Sequence, residues 1–372
     1  MRKTVCYCLA LGMLFISFAS KPTLAEGTPS VTAQGACVLE AGTNTVLYSK
    51  NAHEKLPMAS TTKVMTAILA IERGNPDEII TTCDEAYGTE GSSIYLKKNE
   101  KISLRDLLYG LMLRSGNDAA VAIAVHIGGS VDGFVSLMNE KAREIGAVNT
   151  QFKNPNGLPI DGHYTTAYDL AIICSYALSN EVFSQIVSTQ YHTADTGEVK
   201  RTMMNKNKLL FQYEGAIGIK TGYTKAAGKS LTFAASRENM KVVGVVLNCP
   251  DMFNDSMTLM DFCFDTYEMY TVLKGGTIVM RTFVKKSPYA AVLVTDKDVC
   301  IPVRKSEGIR IHTRISVHEN LSAPARAGDS AGKVELYSGS KLIGRCNLIF
   351  KDDVPTYTYS EYLYGLIRSF TA

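Results

Sequence analysis

The sequence predicts an α+β fold in two parts. One antiparallel sheet pairs its first and last strands across a helical insert, and a small all-β domain follows. Three observations carry this. Strand-like segments flank the first 272 residues, helical segments fill their middle, and beyond Gly275 short β-branched runs alternate with Gly, Pro and Ser turns. At 372 residues, the chain is long enough for one large core and a smaller one. Its 46% hydrophobic and 20% charged content excludes a disordered or fibrous class.

The opening segment "MRKTVCYCLALGMLFISFASKPTLAEG" joins Arg2 and Lys3 to an apolar run from Val5 to Ala19, with small residues at Thr23 and Ala25. This reads as a secretory signal over residues 1–25 rather than a membrane anchor, because the run is near the lower length limit for a span. Cleavage removes Arg2, Lys3 and Lys21, leaving 36 basic and 36 acidic residues. A neutral chain without a basic cluster offers no footprint for nucleic acid and little attraction to anionic lipid. Seven cysteines remain, with no CxxC pair and no His spacing suited to zinc, so most read as small buried hydrophobes. Cys300 with Cys346 is the one pair to test as a disulfide.

"GACVLEAGTNTVLYSKN" reads as a hairpin around Ala41-Gly42-Thr43-Asn44. Residues 60–73 are apolar nearly all round, which predicts a buried helix stopping at Gly74-Asn75-Pro76. In "DLLYGLMLRSGNDAAVAIAVHIGG" two apolar helices flank the polar tetrad Arg114-Ser115-Gly116-Asn117. Further helices are expected near Val131–Ile145 and Thr166–Leu178, then strands in "GAIGIKTGYT", "SLTFAASRE" and "MKVVGVVLNC", and a helix near Ser256–Tyr270. These place a first domain at 26–272 and the all-β domain at 275–352. The final segment, 357–372, puts Tyr359, Leu363, Leu366, Ile367 and Phe370 on one face of a short helix that either lies on a membrane or docks on its own domain.

Serine nucleophiles need a base within hydrogen-bond reach. None of the six histidines accompanies a G-x-S-x-G elbow, which leaves a Ser-His-Asp hydrolase little support. Lysine serves if burial or another cation lowers its pKa. Ser60 and Lys63 stand three apart at the start of a buried helix and share a face. The same spacing at Ser338 and Lys341 falls in a Gly/Ser turn and carries no such meaning. Ser60-Thr61-Thr62-Lys63, Ser115-Gly116-Asn117 and Lys220-Thr221-Gly222, in that order, match the Ser-x-x-Lys, Ser-x-Asn, Lys-Thr-Gly signature of penicillin-binding proteins and class A β-lactamases.

With "KLPMASTTKVMTA", "LLYGLMLRSGNDAA", "FKNPNGL", "GHYTTAYDLA" and "GIKTGYTKAAGKSL", the chain resembles the serine-type D-alanyl-D-alanine carboxypeptidases, the low-molecular-mass penicillin-binding proteins of peptidase family S11, from about residue 36 to 350. The resemblance implies a β-lactamase/transpeptidase-like domain, an exported protein at the extracytoplasmic face of the membrane or in the wall, and removal of terminal D-alanine from peptidoglycan stem peptides ending in D-Ala-D-Ala. It implies Ser60 as the acylated nucleophile, Lys63 as its base and Ser115 as a proton relay. Asn117 would hold the substrate amide, Lys220 and Thr221 its carboxylate, Gly222 would permit close backbone approach, and the N–H groups of Ser60 and Tyr223 would form the oxyanion hole. β-Lactams would acylate the same serine, with no metal or cofactor required.

The opening hairpin turn lacks the acidic residue common in the family, Tyr223 stands where some members have His, and the terminal helix lacks Lys and Trp. A class A β-lactamase would need a deacylating Glu in an E-x-x-L-N context, which the loop "NPNGLPIDGHYTT" does not provide. A D,D-endopeptidase using the same residues and a penicillin-binding sensor without turnover are the other readings.

Overall fold

The structure is a computed structural model that describes residues 13–15, 27–306, 308–361 and 363. The leader at 1–25 and the terminal helix at 357–372 fall outside these, apart from Met13–Phe15, 357–361 and 363. The chain forms two compact units, Glu26–Thr266 and Tyr267–Ala372, the latter grouped with Met1–Ala25.

In the first unit β1 (Gly35–Glu40) and β2 (Thr45–Lys50) form the expected hairpin. Its turn is closed by an acidic residue after all: the Glu40 carboxylate accepts the N–H groups of Gly42 and Thr43 and the Thr43 hydroxyl. The helices are α1 (Lys63–Arg73), α2 (Leu104–Leu113), α3 (Asn117–Gly128), α4 (Val131–Glu144), α5 (Ala167–Leu178) and α6 (Glu181–Ser188). The side chains of Ser103, Ser130, Thr166 and Asn180 cap α2, α4, α5 and α6, each contributing about 1 kcal/mol. Strands β3 (Ala216–Thr224), β4 (Gly228–Arg237) and β5 (Met240–Leu247) then lead into α7 (Met252–Thr266).

The sheet order is β2-β1-β5-β4-β3, all antiparallel, so the first strand pairs with the last as the alternation of elements predicts. β1 is buried at every position, because α5 packs on β1 and β5 while α7 packs on β4 and β5. α1, buried from Lys63 to Ala70, threads this core, which explains its lack of a polar face.

In the second unit, β6 (Tyr267–Leu273) pairs with β9 (Val299–Arg304). The strands β7 (Ile278–Phe283), β8 (Ala290–Thr295), β10 (Arg310–Val317), β11 (Ser330–Ser338) and β12 (Lys341–Phe350) join Met13–Phe15 in a sheet ordered Met13–Phe15, β10, β11, β12, β8, β7. Leu293, Leu336, Leu348 and Phe350 fill its core. The sequence reading carries the preceding helix to Tyr270, whereas the chain turns into a strand at Tyr267. Tyr267, Tyr270, Thr271 and Val272 favour a pleated surface over a helix. Cys300 and Cys346 are separate thiols on strands of different sheets, so the disulfide tested by the sequence reading is not formed.

Candidate active site

A single 3₁₀ turn, Ala59–Thr62, leads into α1 and carries Ser60. The Thr61 and Thr62 hydroxyls bond back to the Met58 and Ala59 carbonyls and so shape the turn. Ala59 takes φ +49°, a left-handed conformation unusual for a residue with a Cβ. One turn later Lys63 has no exposed surface, and its Nζ meets Ser60 Oγ at 3.0 Å, Asn117 Oδ1 at 2.7 Å and the Asn156 carbonyl at 2.6 Å. Burial, then the nearby Lys220 and Lys206 charges, hold its pKa well below the usual lysine range against the opposing pull of Asp118.

The polar break between α2 and α3 presents the second group. Ser115 is buried and left-handed at φ +64°. Asn117 begins α3 with its N–H bonded to the Ser92 carbonyl and its Nδ2 donating to the Glu90 carbonyl, which turns Oδ1 toward Lys63. Asp118 explains why such a polar stretch is buried. Its carboxylate accepts the Ser93 hydroxyl and the N–H groups of Ile94, Leu96 and Ala119, pinning residues 93–96 to the helix start.

The third group lies along β3. Lys220 is 1% exposed, and burial with the Lys206 charge brings its pKa down to about 7. A Cβ on Gly222 would lie 3.2 Å from both the Met58 carbonyl oxygen and the Ser60 nitrogen, so the strand runs close against the Ser60 turn and a larger residue would push the two apart by a few tenths of an ångström. Tyr223 stands 65% exposed beyond it. Ser60, Lys63 and Asn117 are thus joined by direct hydrogen bonds, Gly222 by backbone approach, and Lys220 by its effect on Lys63. Ser115, Thr221 and Tyr223 are carried to the same place by their chain neighbours. Ser338 and Lys341 face each other across a hairpin turn in the second unit, as their context predicts.

Three participants carry no mark in the sequence reading. Asn156 supplies a backbone carbonyl to Lys63. Lys206, exposed at the surface, bonds its N–H to the Leu113 carbonyl and its Nζ to Ser92 Oγ at 3.3 Å. Gly157, at φ +87°, packs against the Ser60 turn, where a Cβ would collide with the Ala59 carbonyl and lie 2.9 Å from the Ser60 nitrogen. Its place in the N-P-N-G-L run is the one signal that could have found it. Gly157→Ala is expected to destabilise the unit by at least about 2 kcal/mol, read by urea unfolding, and to slow penicillin acylation; wild-type values for both would refute this packing.

The family model described as D-alanyl-D-alanine carboxypeptidase, peptidase S11, matches residues 22–251. The chain belongs to this family. A second model, described as the penicillin-binding protein 5 C-terminal domain, matches residues 267–356 of this S11 member. The chain is 33% identical over 362 residues to D-alanyl-D-alanine carboxypeptidase DacF of Bacillus subtilis, covering 93% of each, and 30% identical over 368 residues to DacC of Escherichia coli, covering 93% of this chain and 91% of the relative. Among solved structures, penicillin binding protein 5 from Haemophilus influenzae superposes with a TM-score of 0.72 at 29% identity, over 89% of this chain and all of that one. This S11 member is therefore a serine-type D-alanyl-D-alanine carboxypeptidase of cell-wall peptidoglycan, and its penicillin-binding homologues bring D-Ala-D-Ala peptides and β-lactams as ligands. Work on the wall places it outside the cytoplasm.

Proposed function

We propose that the chain removes the terminal D-alanine of stem peptides through an acyl-enzyme on Ser60, with Lys63 as general base. The arrangement around Lys63 carries this reading. A neutral amine has two N–H donors and one lone pair, and two of its three neighbours, Asn117 Oδ1 and the Asn156 carbonyl, only accept. The lone pair is left for the third, the Ser60 hydroxyl.

Lys63 takes the Ser60 proton as Oγ attacks the carbonyl carbon of the penultimate D-alanine. The resulting oxyanion is held by the N–H groups of Ser60 and Tyr223. Collapse breaks the C–N bond while the proton on Lys63 passes through the Ser115 hydroxyl to the leaving amine, releasing D-alanine. Water then attacks the ester, giving one proton to Lys63 and returning Ser60 to its hydroxyl form. Asn117 holds the substrate amide, and Lys220 with Thr221 holds the terminal carboxylate. Lys206 adds positive potential beside them. A β-lactam acylates Ser60 in the same way, but its leaving nitrogen stays tethered in the adduct. Residues 1–25 act as the export signal.

Incubation with labelled penicillin, followed by mass-spectrometric mapping, should place one label on Ser60, with D-alanine released from a pentapeptide by the unlabelled protein. A label on another residue, or stoichiometric labelling without D-alanine release, would sink the proposal.

A further inference from the structure

His163 lies in the loop between α4 and α5, outside the three motifs, and is 7% exposed. Its Nδ1 accepts the backbone N–H of Lys153 at 2.9 Å, so that nitrogen carries no proton. The remaining ring proton of the neutral imidazole is on Nε2, which faces the Thr62 hydroxyl at 2.8 Å. Thr62 Oγ1 therefore accepts from His163 and donates its own proton to the Ala59 carbonyl, 2.8 Å away. Burial, which takes the His163 pKa down to about 4, keeps the ring in this neutral form across the physiological range.

The Ala59 carbonyl and the Ser60 N–H belong to one peptide group. That group is planar, so fixing the oxygen on one side fixes the direction of the N–H on the other. Ala59 is held in a left-handed conformation that its own side chain disfavours, and such strain persists only where the surroundings impose it. We infer that His163 is a positioning residue: through Thr62 it orients the Ala59–Ser60 peptide and thereby aims the Ser60 N–H at the developing oxyanion. This rests on the reading of Ser60 as nucleophile.

The test uses the mature protein and the variants His163→Leu, Thr62→Val and Thr62→Ser, the last keeping the hydroxyl. Each is assayed with an ester analogue of the stem peptide and with its thiono counterpart, whose C=S accepts hydrogen bonds poorly. His163→Leu and Thr62→Val should lower kcat/KM for the ester by roughly tenfold to a hundredfold, mainly in kcat, with much less loss for the thiono substrate. Thr62→Ser should stay near wild type. A merely structural histidine would instead lower both substrates equally, in step with a fall in Tm. That result, or unchanged ester turnover in folded Thr62→Val, would overturn the inference, and Thr62→Val keeps it testable should His163→Leu fail to fold. Penicillin labelling of the parent protein separates the two levels. A label off Ser60 removes both readings, whereas a label on Ser60 with unaffected variants removes this one alone.

Discussion

Lys63→Met is expected to slow acylation of Ser60 by roughly 10²–10⁴ while leaving the fold intact. Methionine fills the space of the aliphatic stem and removes the amine, and because the wild-type Lys63 amine is fully buried and shifted toward neutrality, its loss leaves no unpaired charge. The Asn117 and Asn156 acceptors lose one donor each, a modest penalty beside the loss of the base. Stopped-flow acylation by a reporter β-lactam measures the effect. A variant that acylates within tenfold of wild type would show that Ser60 gives its proton elsewhere. In the wild type the acid limb of the acylation profile should reflect Lys63 losing its proton, at a pH well below the ordinary lysine range of about 10.5.

Lys220→Met is expected to be more stable and far less active. The buried cation is disfavoured in the folded state, which lowers its pKa from the ordinary 10.5 to about 7. Between those values the unfolded chain binds more protons than the folded one, so this group makes stability rise with pH. Below about pH 7 the penalty is fully present; by pH 10.5 it is gone. Removing the amine should therefore stabilise the protein at pH 6 by a few kcal/mol, on the order of 4, and flatten its stability between pH 7 and 10. Turnover should collapse on the proposed pairing of Lys220 with the substrate carboxylate. Urea unfolding at pH 6 and pH 9 beside D-alanine release tests both halves, and a variant that is less stable at pH 6 would refute the electrostatic account. The same group should give wild-type kcat/KM an alkaline decline, which Lys220→Arg should move to higher pH.

Much of this was legible in residue order. Period and punctuation located β1, β2, α1 and the helices around Ser115, and the apolar run of α1 announced burial before any coordinates. Ser60, Lys63 and Asn117 were legible because side chains do that work and their spacing follows helix geometry. Asn156 was not, since a backbone carbonyl leaves no trace in residue type. Lys206 was hidden because only the packing of the strand Lys200–Met204, where Arg201 bonds the Ile94 carbonyl and pairs with buried Glu100, delivers it to Ser92. His163 read as one of six scattered histidines, because its tautomer is decided by a contact to Lys153 that sequence spacing does not reveal. The strand at Tyr267 was misread because it follows a helix without a Gly or Pro to mark the change.

The pairing of β1 with β5 has a consequence for how the enzyme comes into being. Glu40 lies opposite Val242 and Gly35 opposite Leu247, so one side of β1 waits for a partner made nearly last. Such distant pairing is entropically late. In a chain that folds from its first residues onward, the early hairpin keeps a bare edge, and the Ser60 turn has no β3 to lean on until the closing strands arrive. Activity therefore waits for the whole first unit, and a chain cut short before β5 should be inert toward the substrate, however intact its Ser60, Lys63 and Asn117.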